Sequence, residues 1–208
     1  MPMELHEALQ QINEIRGHLA TTETFRGYRA VSAAATGLMA VLAALLQAWL
    51  IRDAASNPLR YVVLWTATAV LCLAGSGLQV LYVYLRQQSA HRRATTRIAT
   101  GQLLPALTAG ALVTFTLARR GLAEICLLPG LWAVLFGMGV FACRRQLPRA
   151  IGWVALFYLL SGGAALAVLP GPAALSPWLM GSVFGIGQSA AALVLYWNLE
   201  RNGQREAV

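Results

Sequence analysis

Six long apolar runs separated by short polar breaks constrain this chain more than any other feature. They lie at about Tyr28–Ile51, Leu59–Leu85, Ile98–Ala118, Leu122–Cys143, Ala150–Leu169 and Pro177–Leu199. Each approaches or exceeds the roughly 20 residues that a helix needs to cross a hydrocarbon core. The first run is too long for a signal-peptide core and starts too far in, so it counts as a true span. The tightest break is Arg119-Arg120-Gly121, a very short hairpin between the third and fourth runs. With 58% hydrophobic and only 12% charged residues, a soluble fold could not cover its own apolar surface. The expectation is an all-α integral membrane protein with six transmembrane helices. Its parts are an N-terminal segment (1–24), a transmembrane domain (25–199) and a short tail (200–208).

Arginine placement predicts the orientation. All 16 basic residues are Arg, giving a net charge of +8. They fall between the apolar runs rather than on one face, which argues against nucleic acid as a partner. With the N-terminus inside, Arg16, Arg26, Arg29, Arg86, Arg92, Arg93, Arg97, Arg144, Arg145, Arg149, Arg201 and Arg205 are cytoplasmic. Only Arg52, Arg60, Arg119 and Arg120 are outside, a bias of 12 to 4. Positively charged loops stay in the cytoplasm, so both termini are expected there, with anionic lipids at that face. Trp49, Trp65 and Trp178 mark the outer interface and Trp153 and Trp197 the inner one, as an aromatic belt would.

An internal repeat refines the fold. Pro129, Phe136, Gly137 and Gly139 recur as Pro177, Phe184, Gly185 and Gly187, each displaced by 48 residues. The second span carries a related Gly75-Ser76-Gly77 after Pro58, and Arg97–Gly110 and Arg149–Gly162 share a spacing of 13. Three repeated helical hairpins around a pseudo-threefold axis account for this pattern. The glycines of the even-numbered helices would then meet near mid-membrane. Gly181, Gly185 and Ser189 form a small-residue stripe on the sixth span. Such stripes usually pack helices within a bundle or form a dimer face. Gly75, Gly77, Gln79, Gly137, Gly139, Gly181, Gly185, Gly187 and Gln188 are therefore candidates for helix packing or for lining a pore.

Residues 1–24 read as an amphipathic helix. Leu5, Ala8, Ile12, Ile15 and Leu19 fall on one stripe, with Glu4, Glu7, Gln11 and Glu14 elsewhere. A helix lying on a membrane surface usually carries Lys and Arg on its polar face. This one carries mainly Glu, so a protein surface suits it better than anionic lipid. That surface is the chain's own loops, another copy or a membrane protein partner, with Leu5, Ile12, Ile15 and Leu19 as the contact stripe.

Chemistry-bearing residues are sparse. His6, His18 and His91 lie outside the spans, which argues against a haem or a histidine proton relay. Cys72, Cys126 and Cys143 are widely spaced within apolar runs and fit small apolar fillers better than a disulfide or zinc framework. Glu124 is the one acid near a span, close to Arg119 and Arg120. These three are expected to form an interfacial ion pair, with an outer gate as the functional alternative. The embedded polar residues Gln79, Thr108, Thr114, Ser161, Ser182, Gln188 and Ser189 suit hydrogen bonds between helices. No nucleophile has a base in a recognisable motif, so neither a cofactor nor an enzymatic activity is expected.

The stretches LPGLWAVLFGMGVFACRRQLPRA (Leu128–Ala150), SPWLMGSVFGIGQ (Ser176–Gln188) and FRGYRA (Phe25–Ala30) resemble an uncharacterised family of bacterial six-span inner-membrane proteins. The resemblance implies a bacterial inner membrane and brings no activity, ligand or site residue with it. The functional expectation is a non-catalytic scaffold, sensor or regulatory subunit. A channel or facilitator for a small neutral or lipid-like solute is the alternative.

Overall fold

The computed structural model describes residues 30–86, 90–169 and 171–201. These form helices with no strand among them. The six main helices are α1 (Ala30–Leu50), α2 (Pro58–Arg86), α3 (Ala90–Ala118), α4 (Leu128–Ala142), α5 (Ile151–Val168) and α6 (Pro177–Leu195). Six helical stretches are long and apolar enough to cross a membrane. Contact residues Leu5, Ile12, Ile15 and Leu19 lie outside the described residues.

Local chemistry sets the helix limits. Pro58 and Pro177 open α2 and α6, where a missing N–H leaves no hydrogen bond unmade. Gly121 has φ of +149°, a conformation that side chains rarely adopt, and it turns the chain between α3 and α4. A single helical turn, Leu122–Ile125, follows. The fourth span is thus interrupted rather than one continuous helix, and α4 proper starts at Leu128. The reason is Pro129, which has no N–H to give the Ile125 carbonyl. Pro105 lies inside α3.

The helices contact one another around a ring. α1 packs most extensively on α6, α4 packs on α5 almost as broadly, and α3 lies along α4. α2 touches α1 and α3 only lightly. In the most apolar stretches of α2 and α3, 17% and 11% of residues are buried, against 33% to 44% in the other four spans. Leu38, Val63, Leu71, Leu78, Leu112, Phe115, Leu160 and Ile186 all point outward. An apolar exterior of this extent needs an apolar surrounding.

Two buried clusters hold the bundle. One joins Ala40, Ala44, Tyr61, Trp65, Ile125, Leu128, Leu175 and Met180, toward the end formed by the loops at 51–57, 119–121 and 169–176. The other joins Ala30, Ala33, Ala133, Ile151, Tyr158, Val183 and Leu195, toward the opposite end.

Candidate functional site

Glycines make the closest helix approaches. At the α4–α5 contact, a β-carbon on Gly162 would lie 2.7 Å from the Gly130 carbonyl oxygen and 2.8 Å from the Val134 nitrogen. One on Gly137 would meet Tyr158 at 2.9 Å. At the α6–α1 contact, a β-carbon on Gly181 would lie 2.5 Å from Ala44 and one on Gly185 would lie 2.9 Å from Val41. A β-carbon on Gly187 would collide with the Tyr158 ring, and one on Gly139 would lie 2.8 Å from Leu103 of α3. Gln188 is buried, and its Cβ lies 3.1 Å from the same position on Gly37.

The even-numbered helices do not bring their glycines together, contrary to the expectation from the repeat. Gly137 and Gly185 face odd-numbered neighbours instead. Gly75 and Gly77 meet nothing within 4 Å, and Gly101 and Gly110 of α3 are equally open. Gln79 is half-buried on the same length of α2. What meets between α4 and α6 is aromatic: Phe136 and Phe184, the repeat-related pair, have ring centroids 5.6 Å apart. Tyr158 of α5 completes a triad at 4.9 and 5.3 Å.

The densest polar arrangement lies near the loop end, on residues that sequence reasoning did not group. Gln47 is fully buried on α1. Its side-chain amide donates to the Leu175 carbonyl at 2.8 Å and accepts from the Trp65 indole N–H at 2.7 Å. One amide thereby ties α1 to α2 and to the turn Gly171–Leu175. Tyr61, one helical turn before Trp65, stacks on Trp132 of α4 with centroids 6.3 Å apart and planes 7° from parallel. The Trp132 indole donates to the Thr114 hydroxyl of α3 at 2.8 Å, which itself donates to the Gly110 carbonyl at 2.7 Å. The Tyr61 hydroxyl is buried without a hydrogen-bond partner.

Trp65, expected near the outer interface, points into the bundle rather than outward. It is 4% exposed, whereas Trp49 is 73% exposed. The buried Gln47 amide explains this, because it offers the indole N–H an acceptor that hydrocarbon cannot. A lone Gln within the first apolar run was the available sequence signal. Other embedded hydroxyls bond back to their own helices, as Thr108 does to Pro105 at 2.9 Å, Ser161 to Tyr158 at 3.2 Å and Ser182 to Leu179 at 3.2 Å. This common use of Ser and Thr satisfies them without a partner helix.

Glu124, Arg119 and Arg120 share the loop end without forming the expected ion pair. Arg119 lays its guanidinium 4.5 Å from the Phe115 ring centroid. A Glu124 carboxylate oxygen instead sits 3.5 Å from the β-carbon position on Gly121. The three cysteines are free thiols, and no group of three His, Cys, Asp or Glu among the described residues is placed to hold a metal ion. The Gln47 amide is engaged through both its nitrogen and its oxygen, so it acts as a lock between helices.

No family model, curated protein or solved structure matches this chain. Its role has to be read from its own residues.

Proposed function

We propose that this chain is a non-catalytic multi-pass protein of the bacterial inner membrane, serving as a scaffold, sensor or regulatory subunit. The carrying observation is the unequal packing of the helices. Glycine contacts close the α1–α6 and α4–α5 seams and the Gln47 lock joins α1 to one end of α2, whereas farther along, α2 and α3 present Gly75, Gly77, Gly101 and Gly110 to open space. A helix face that permits close approach is suited to a neighbouring chain. The outward Leu and Val side chains support embedding in lipid. The arginines grouped at the end opposite the loop at 51–57 support cytoplasmic termini. Anionic lipids suit that face.

The three-hairpin reading gains support from the ring of contacts. Under it the α4–α5 and α6–α1 seams are equivalent, and both are closely packed. The α2–α3 seam is the third equivalent position. For the channel alternative, the triad of Phe136, Tyr158 and Phe184 occupies the junction where a central route would run, which favours packing over passage.

Deleting residues 1–24 tests the proposal in intact membranes. The expected result is a six-span body that still inserts but loses its partner or its oligomeric state, read by cross-linking and light scattering. A truncated protein that keeps both would overturn it. Solute flux into liposomes carrying the purified chain would instead favour the channel.

A further inference from the structure

The end of the bundle where α1 begins has a large charge imbalance. The Cys143 thiol donates to the Ala99 carbonyl at 3.3 Å, which places Arg144 and Arg145 beside the turn of α3 that carries Arg97. Arg97, Arg144, Arg145 and Arg149 are all exposed. Arg144 rests on the Phe141 ring at 4.1 Å, a contact that leaves its charge unneutralised. No Asp or Glu occurs from 54 to 123 or from 125 to 199. Among the described helices, the acid at this end is Glu200, in the last turn Tyr196–Arg201 and next to Arg201 in sequence.

Half of the chain's eight acidic residues are in the segment that leads into α1. Residues 1–24 hold Glu4, Glu7, Glu14 and Glu23 against one arginine, Arg16. At about 100° per residue on a helix, Glu4, Glu7 and Glu14 share one flank, beside the stripe of Leu5, Ile12, Ile15 and Leu19. The place where this segment leaves the bundle is also fixed. Ala30, Ile151 and Leu195 share one buried cluster, with Leu147 packed against it. The chain preceding α1 thus departs from the same end of the bundle as the Cys143–Ala150 connection and its three arginines. Residues 25–29 can span up to about 17 Å, and the 24 residues before them extend that reach across this end of the bundle.

We propose that residues 1–24 dock on the Arg97, Arg144, Arg145 and Arg149 surface of their own chain, with Glu4, Glu7 and Glu14 facing the guanidiniums. This rests on the reading of the segment as the working part of a regulatory subunit and adds a parked state in which its charge is satisfied internally. The geometry does not depend on which side of the membrane this end faces.

Electron spin distance measurements on the full chain test the docking. Labels at N13C and Q146C, on a chain otherwise freed of cysteine, are read in phosphatidylcholine nanodiscs. The expected result is one narrow, short distance distribution. It should broaden and lengthen in high salt, where the Debye length falls to about 3 Å, and also with E4R, E7R and E14R combined. Adding R144E and R145E to that variant should restore the short distance. The salt titration leaves every arginine intact, so it decides the matter even if the reversed arginines disturb insertion.

Three results would overturn the proposal. One is a short distance insensitive to salt and charge reversal. Another is a short distance only when singly labelled chains are mixed, which assigns the surface to a second copy. The third is a long distance in phosphatidylcholine, with phosphatidylglycerol retained by the purified chain and lost with R144E and R145E, which assigns it to lipid headgroups. Loss of a partner on deletion with no docking would leave the scaffold reading standing alone, and docking without any partner would do the reverse.

Discussion

The α4–α5 seam and the α2–α3 seam join helices in the same sequential relation, yet only the first is closed. Gly130 and Gly162 bring the α4 and α5 backbones into contact, and Tyr158 fills the space against Gly137 and Gly187. α2 and α3 have glycines too, but no side chain or backbone comes to meet them. Small residues permit close approach and do not compel it. Closure needs complementary bulk, and Tyr158 with its neighbours Phe136 and Phe184 supplies it on one side only.

Substitutions at the two seams should therefore diverge. Gly162→Val has the largest expected effect, because its β-carbon would meet backbone atoms that cannot step aside. Overpacking of this kind costs about 1–3 kcal/mol, read as a lower unfolding midpoint in a denaturing-detergent titration. The matching change at Gly101 should cost far less, and equal losses at the two sites would erase the distinction between the seams. Gln47→Leu comes next, at about 1–3 kcal/mol, because it leaves the Trp65 indole and the Leu175 carbonyl without partners in an apolar interior. Its signature is a shift in tryptophan fluorescence that Gln79→Leu does not produce. Trp132→Phe keeps a ring for Tyr61 to stack on but loses the bond to Thr114, for about 1 kcal/mol. The smallest effect belongs to Gly75→Ala, which should stabilise the isolated chain by up to about 1 kcal/mol through helix propensity. If a neighbour closes on α2 in native membranes, the same change should weaken that association, and cross-linking yield there reports it.

Much of the fold was legible because hydropathy and punctuation are local. Most span limits lie within four residues of the helix limits, though α3 starts at Ala90 rather than Ile98 and α4 at Leu128 rather than Leu122, and Arg119-Arg120-Gly121 marked a real turn. The site was legible only in part. Glycine spacing pointed alike to Gly137, Gly139, Gly181, Gly185 and Gly187, which face neighbouring helices, and to Gly75 and Gly77, which meet nothing within 4 Å. Spacing records what a helix face can accept, whereas contact depends on what the rest of the chain delivers. Trp65 shows the same limit: its position near a helix start matched an interfacial belt, and only a Gln 18 residues earlier reveals that it faces inward. The Leu175 carbonyl that completes the lock lies 128 residues from Gln47, beyond any local pattern.

That separation has a consequence for biosynthesis. α1 leaves the ribosome first, and its principal neighbour, α6, leaves last. Translation at roughly 5–20 residues per second puts on the order of ten seconds between Gln47 and Leu175. During that interval Gln47 can hold Trp65, but its own amide protons have no Leu175 carbonyl to reach, and the small-residue face of α1 waits without α6. The first hairpin is thus a provisional structure, and the bundle closes only when the final one arrives.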